Sequence, residues 1–523
     1  MNALIDQLRE HLVVVPVVLP LAAGAAMLLL DERRHSLKAG ISLGAALLLL
    51  VASVALALRA DDAGPPSVYA VGDWPAPFGI VLVADRLSAL MVLLSAALGL
   101  AALVFSLARW HSAGPHFHSL LHFLLAGLNG AFLTGDLFNL FVFFELLLAA
   151  SYGLALHGSG ARRVRASLHY IVLNLAASLL FLVGVSLMYG IAGTLNMADL
   201  AARLPRIAAE DRALLEIGAA MLGVAFLVKA GMWPLGFWLP ATYAAASAPA
   251  AALFCILTKV GVYAVARVWL VVFGGGPGAD LLVYGGMATL GFGVIGMLSS
   301  QELGRIAAYG LLVSSGTLLV GLGLGGAAAT AAAMFYLVAS TLGTAALFLL
   351  IELVERSRGP GADVLAVTAE AFGVAGDDAD EPEEEPGVAI PAAMAVLGLA
   401  FAFAALLMAG LPPMPGFVAK FAILAAVLGE EPVPGAAWAL LALLLLAGLA
   451  AIIALGRVGV RVFWSEERTA PRVRLLEFAP VAALLAACMA LTIAAGPAMR
   501  YVEQAAAALH APAGYIDEVL RRP

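Results

Sequence analysis

Apolar runs of about twenty residues recur along the whole chain and leave little choice of fold, because each is long enough to cross roughly 30 Å of hydrocarbon at 1.5 Å per residue. In lipid every backbone polar group has to be satisfied internally, so each run is read as a helix. The alternating strand pattern of an outer-membrane barrel is absent. Composition agrees: 63% of the residues are hydrophobic and 12% are charged, against roughly a quarter charged in a soluble domain. The net charge of −7 points away from nucleic acid as a partner. Cys255 and Cys488 lie singly in apolar segments without Cys-x-x-Cys spacing, which argues against zinc or iron–sulfur ligation. No metal and no cofactor is expected. The run at 11–30 lacks a basic region before it and leads into a second span, so it reads as a mature helix and not a cleaved signal.

The fold class expected is an all-α membrane protein of about fourteen transmembrane helices. They fall near 11–30, 36–59, 85–108, 116–134, 137–157, 167–190, 213–245, 249–273, 280–299, 302–323, 329–356, 388–428, 436–464 and 475–497. The seventh and twelfth are too long for one crossing and are interrupted by proline, at Trp233-Pro234 through Pro240 and at Pro412-Pro413 through Pro415. Proline removes a backbone donor and clashes with the preceding turn, so both spans should be broken helices covered by protein or water.

Basic residues in short loops set the orientation. Arg33, Arg34 and Lys38 sit in the loop after the first span, Arg162, Arg163 and Arg165 after the fifth, Arg356 and Arg358 after the eleventh, and Arg468, Arg472 and Arg474 after the thirteenth. Arg203, Arg206 and Arg212 are on the other side. Odd-numbered loops are therefore expected in the cytoplasm of a bacterial inner membrane, with both termini outside. The acid-rich stretch Asp377–Glu385 reads as a solvated loop, and Met499–Leu520 as an amphipathic tail at the membrane surface.

Four lysines stand against two dozen arginines, and three of the four, Lys229, Lys259 and Lys420, lie inside apolar spans. A snorkelling pattern would gather lysines at helix ends instead. Each charge at mid-bilayer costs about 2.5–3.5 kcal/mol even on the lenient insertion scale. A guanidinium stays protonated, whereas a buried ammonium can release its proton, so lysine is the base suited to a proton relay. A fixed ion pair that locks helices is the plainer alternative. Glu145, an isolated acid in the fifth span, should be neutral or paired with a base on another helix, and Lys229 is its expected partner. Asp136 reads as an interfacial helix cap, Glu302 and Arg305 as a helix-end pair, and Arg267 as reaching a rim of the membrane. His122 in the fourth span and Tyr309, Ser314, Ser315 and Thr317 in the tenth could line a wet path, although hydroxyls also join helices at small-residue interfaces.

Thr134-Gly-Asp-Leu-Phe-Asn-Leu-Phe-Val-Phe-Phe-Glu-Leu resembles the antiporter-like membrane subunits shared by respiratory complex I and the Mrp cation/proton antiporters. So do Val228-Lys-Ala-Gly-Met-Trp-Pro-Leu-Gly-Phe-Trp-Leu-Pro-Ala-Thr-Tyr, Leu257-Thr-Lys-Val-Gly-Val-Tyr and Gly410-Leu-Pro-Pro-Met-Pro-Gly-Phe-Val-Ala-Lys. The likeness spans nearly the whole chain and is strongest to the D-type subunits of Mrp (Mnh, Pha) monovalent cation/proton antiporters. It implies a central ion axis of Glu145, Lys229, Lys259 and Lys420, and two inverted five-helix repeats with broken seventh and twelfth helices. The implied units are residues 1–112 (three N-terminal spans), 113–275 (first repeat), 276–465 (second repeat, with the acidic loop 360–387) and 466–523 (last span and tail). It also implies partner subunits in a hetero-oligomer, with protons and K+ or Na+ as the transported ions.

Two departures matter. Complex I relatives usually carry Trp-Leu-Pro-Asp-Ala-His after the seventh-span break, where this chain has Trp238-Leu-Pro-Ala-Thr-Tyr. Relatives usually also carry a histidine in the eleventh span, where Ser340 and Thr344 stand here. Neither hydroxyl titrates near neutral pH, so a link from Lys259 to Lys420 would depend on water held by these side chains. The function expected is a secondary antiporter subunit and not an enzyme, with a proton-pumping subunit of a redox complex as the alternative.

Overall fold

The computed structural model describes residues 11–62, 64–74, 77–356, 392–463 and 473–521. The first helices are α1 (Val15–Leu28), α2 (His35–Asp61), α3 (Arg86–Leu107), α4 (Phe117–Leu133), α5 (Leu137–Leu156) and α6 (Ala161–Ala192). A short α7 (Met197–Arg203) precedes the first broken span, α8 (Ala209–Ala230) with α9 (Leu239–Ala245). Next come α10 (Ala248–Phe254) and α11 (Leu257–Arg267), the latter running into a single π turn at Val268–Val272. After α12 (Ala279–Ser299), α13 (Leu303–Gly323) and α14 (Ala327–Glu355), the second broken span is α15 (Ala392–Ala409) with α16 (Pro415–Leu428). The chain closes with α17 (Gly435–Phe463), α18 (Leu475–Ile493), α19 (Ala495–His510) and α20 (Ala513–Arg521).

Twelve helices among the described residues are long and apolar enough to cross a bilayer. The expected first and fourth spans are present as α1 and α4 but are shorter. Both proline-interrupted spans are broken where expected, between Ala230 and Leu239 and between Ala409 and Pro415. The sixth span is longer than its apolar run, because its helix takes in Arg162, Arg163 and Arg165. The eighth is segmented at Cys255-Ile256, a break without proline or glycine to announce it. A small antiparallel hairpin, β1 (Ser67–Ala70) and β2 (Val81–Ala84), adds two strands to the all-helical expectation. The acidic stretch Asp377–Glu385, with Arg358, Arg468 and Arg472, lies outside the described residues.

The odd-numbered loops gather on one side, as the arginine pattern anticipates. Trp110 donates to Glu352 at 2.6 Å, Arg474 to the Ala108 carbonyl at 3.1 Å and Arg457 to the Ser300 carbonyl at 2.6 Å, and Arg162 pairs with Glu302. The opposite side holds the hairpin, α7 and the C-terminal helices. The tail departs from the surface reading: Tyr501 donates to the Arg86 carbonyl at 3.0 Å, and His510 bonds Thr330 at 2.9 Å. Its apolar face is covered by α14 and α3 of the same chain, so that surface is taken up by protein. Lys38 also moves from its expected loop into the first turn of α2, buried and paired with Glu32 at 2.6 Å. The Glu302–Arg305 pair forms at 3.3 Å.

Burial separates two classes of helix. In α13, 94% of the central window is covered by protein, as is 94% of the α10–α11 span and 83% of α14. For α2, α6, α15 and α17 the figure is 39%, so leucine and valine on those helices are exposed on the outside of the chain. The three covered helices carry Lys259, Ser314, Ser340 and Thr344, side chains that lipid would not accommodate.

Helices α12 and α13 meet through glycines on both sides, Gly286 and Gly293 against Gly316 and Gly323. A Cβ on Gly316 would stand 2.6 Å from the Gly286 carbonyl oxygen. Without a hydrophobic driving force between helices in lipid, such close backbone approach supplies the packing energy. Gly316→Val should therefore cost about 1–3 kcal/mol, read as a lower unfolding midpoint in detergent. Gly291→Ala, where an added Cβ meets nothing within 4 Å, should leave the midpoint unchanged.

Candidate functional site

Lys229 is the penultimate residue of α8, whose end is set by Gly231 at φ 75° and by the Met232 N–H bonding the Leu227 carbonyl at 3.0 Å. The break is pinned to α12, since the Trp233 N–H donates to Thr289 Oγ1 at 2.8 Å. The Lys229 side chain is buried, with Nζ 5.9 Å from the centroid of the Phe144 ring. Glu145 follows Phe144 on α5 and is the acid whose charge reaches Lys229. The direct ion pair expected between them is not formed. Lys229 Nζ and Glu145 Oε1 are both buried and without a hydrogen-bond partner, because an aromatic ring and not a carboxylate meets the ammonium. Beside Lys229 is a cavity of about 20 Å³ lined by Tyr170, Asn174, Trp238 and Leu257, enough for one water. Tyr170 bonds Ser151 at 2.7 Å, and the Trp238 indole nitrogen is buried without a partner.

Lys259 is fully buried on α11 and donates to Ser314 Oγ at 2.8 Å. Ser314 in turn meets Ser340 Oγ at 2.9 Å, and Thr344 Oγ1 donates to the Ser340 carbonyl at 2.7 Å. A second cavity, of about 30 Å³, opens onto Ser314, Tyr336, Ser340, Thr344, Leu407 and Gly416. Its last two residues flank the α15–α16 break. Lys420, buried on α16, donates from Nζ to the Ala409 carbonyl at 3.1 Å. That carbonyl ends α15 and has no continuing turn to bond. The hydroxyls of Ser314, Ser340 and Thr344 thus stand between Lys259 and the α15–α16 break, around a space large enough for water.

Other expected residues fall elsewhere. Tyr309 is edge-on to Phe292 at 5.9 Å and packs under α12 glycines, away from the cavity. Ser315 is buried without a partner, and Thr317 returns its hydrogen bond to the Val313 carbonyl at 2.8 Å. His122 faces α2 and bonds Ser42 Oγ at 3.0 Å, since α4 presents that face to the N-terminal helices. Asp136 caps α5 as expected, accepting from the Asn139 N–H at 2.9 Å. Arg267 reaches the end of the bundle that holds the hairpin and the tail, but is buried there: Asp85, which caps α3, holds it at 2.5 and 2.9 Å, and its guanidinium lies over Tyr515 of α20. Tyr170, Asn174 and Tyr336 had no assigned role. Their signal was a four-residue spacing, 170 with 174 and 336 with 340 and 344, which puts them on one helix face.

Residues 134–449 match the family described as NADH:quinone oxidoreductase/Mrp antiporter, TM. The chain belongs to this family. It is 56% identical to a probable K(+)/H(+) antiporter subunit, of the D type, from Rhizobium meliloti over 98% of both chains. It is 36% identical to the D-type Na(+)/H(+) antiporter subunit of Alkalihalophilus pseudofirmus, over 98% of this chain and all of that one. A chain in the solved Mrp complex of Dietzia sp. superposes with a TM-score of 0.84 at 27% identity, covering 98% of this chain and 99% of that chain. Family membership and the twelve apolar helices make this a multi-pass membrane protein.

The break at Gly410 is doubly specified. Its φ of 73° suits glycine, and a Cβ there would fall 2.7 Å from Lys420 Nζ. Gly410→Ala should cost about 1–2 kcal/mol from the left-handed backbone alone. The loss should shrink when Lys420→Ala removes the clashing tail, and a double-mutant cycle on unfolding in detergent measures the difference.

Proposed function

We propose that this chain is the membrane subunit of a multisubunit monovalent cation/proton antiporter, in which protons pass along Glu145, Lys229, Lys259 and Lys420 and are coupled to efflux of K+ or Na+. One observation carries the reading: three lysines are buried in apolar spans, Lys229 beside a water-sized cavity, Lys259 on a chain of hydroxyls and Lys420 on the open carbonyl of a helix break. A scaffold would be better served by leucine at those positions, given the cost of each buried charge. The names of the D-type relatives support the antiport assignment.

In this mechanism Glu145 supplies the field that holds a proton on Lys229. When that field weakens, Lys229 releases its proton toward Lys259, whose ammonium then offers one to Ser314. Ser314, Ser340 and Thr344 with intervening water carry it to Lys420 at the second break, in place of a titratable group on α14. Two inverted repeats, residues 113–275 and 276–465, with units 1–112 and 466–523 flanking them, would place the two breaks symmetrically across the bilayer. The arginine-rich loops face the cytoplasm in this reading, and other subunits complete the cation path. The second reading, a proton-pumping subunit of a redox-driven complex, has its support in the other half of the family's description.

Everted vesicles holding the assembled complex test this. Adding K+ or Na+ should collapse an imposed pH gradient with the native chain, and Glu145→Ala or Lys229→Ala should abolish the collapse while assembly persists. A native complex that never responds to either cation favours the redox reading; silent substitutions in an active complex overturn the relay. Ser340→Ala should slow exchange about fivefold, the effect of losing its hydrogen bond to Ser314 at about 1 kcal/mol. Ser340→Thr should restore it.

A further inference from the structure

Six of the nine histidines, His35, His111, His116, His118, His122 and His157, collect around the connection between α3 and α4, on the arginine-rich side. None belongs to the lysine line. The rings of His35 and His111 are 6.1 Å apart, those of His111 and His118 are 5.5 Å apart, and His122 follows His118 by one turn of α4. At the surface His116 pairs with Glu32 at 2.8 Å, and Glu32 also holds Lys38 at 2.6 Å. His157 bonds the Trp110 carbonyl at 2.8 Å. The row thus runs from a half-exposed ion pair to a histidine in the middle of the N-terminal helices.

His118 is the anomaly. It is 4% exposed, and neither ring nitrogen has a hydrogen-bond partner. One nitrogen each of His111 and His122 is buried in the same way. An unsatisfied buried polar group costs about 1–3 kcal/mol, and the ring of Phe117, edge-on to His118 at 5.7 Å, offers its nitrogens no partner. A neutral His118 gains nothing over phenylalanine, so its nitrogens matter in another protonation state.

We propose that this corner is a proton-binding site separate from the lysine relay, in which His118 takes up a proton from the arginine-rich side by way of His111 and His116, and that proton binding there loosens α2 from α4. The groups acting electrostatically on His118 are His111, His122, Lys38 and Glu32. α1 carries no ionisable side chain. Glu32 is already shared by Lys38 and His116, so a charge on His118 adjoins Lys38 with no acid to spare. Burial and the nearby His35 hold His111 below the ordinary histidine range, so His111 takes up its proton only at acid pH. The His122 ring nitrogen meets both the hydroxyl and the main-chain carbonyl of Ser42, at 3.0 and 3.2 Å, so the α2–α4 contact that a charged His118 strains is the one beside Lys38. The other face of α4 packs on α5, which carries Glu145. Loosening α4 therefore disturbs the distance from Glu145 to Lys229. Resting on the antiport reading, acid on this side slows exchange, which limits proton entry into a compartment already acid.

Hydrogen–deuterium exchange on the purified complex at about pH 8 and about pH 5 reads the site without any transport. Exchange in the first half of α2 and of α4 should rise at least threefold at the lower pH beyond the intrinsic rate, and His118→Phe should abolish the rise. His169→Asn, an exposed histidine outside the corner, should leave it intact. If His118→Phe does not assemble, His111→Leu should cut the rise by more than half. An unchanged rise in the assembled variants overturns the proposal. In everted vesicles the native complex should lose most of its exchange over the same interval and His118→Phe should keep it. If no cation-dependent flux is seen at any pH while the exchange result holds, the antiport reading fails and the proton site stands.

Discussion

A charged amine in hydrocarbon costs several kcal/mol, and the interior of this protein is arranged around three of them. Because lipid cannot hold Lys229, Lys259 and Lys420, each of these side chains must be turned toward other helices, and the helices carrying Lys259 and the hydroxyls it meets are wrapped all round. That requirement explains why α10–α11, α13 and α14 are covered nearly all round while α2, α6, α15 and α17 turn most of their surface outward. It also places the polar residues. Ser314, Ser340 and Thr344 occur on the covered helices, where each hydroxyl finds another or a carbonyl of its own helix.

Helix breaks solve a second part of the same problem. Lys229 closes α8, and Lys420 reaches back to Ala409 at the end of α15. The C-terminal end of a helix carries unsatisfied carbonyls and a partial negative charge, so each half-helix supplies a weak, fixed counter-charge without a carboxylate. Such a partner steadies an ammonium less firmly than an ion pair would, as the proposed relay requires of a group that exchanges its proton. Lys259, on a helix without a proline break, relies on Ser314 instead. The absence of a closed Glu145–Lys229 bond fits this pattern: a tightly paired ammonium in low dielectric would be held too strongly to move a proton.

The N-terminal helices follow another rule. Their buried polar groups are histidines and hydroxyls spaced along α4 and α2, and the charges that accompany them, Glu32 and Lys38, lie at one end of the row. A polar row that begins at the surface and ends inside the bundle, with no lysine of the central line in it, behaves as a side branch that senses one compartment.

Much was legible from the chain alone. Run length determined the helices, proline the two broken spans, arginine counts the common side of the odd loops, and the isolation of lysine among apolar residues the burial of Lys229, Lys259 and Lys420. These properties are local in sequence: hydrocarbon thickness, a missing backbone donor and the cost of one charge act on each segment separately. Only the tertiary structure decided which side chains meet. Tyr309 and Ser314 are five residues apart on one helix, yet the first packs against Phe292 and the second bonds Lys259. His122 faces Ser42 eighty positions away and not the lysines. The histidine corner draws on α2, the turn at Trp110–Ser112 and α4, and the tail covers α14 instead of lying on lipid. Which face of an apolar helix looks inward depends on its neighbours, and a span hydrophobic on every side carries no mark of that choice in its own residues.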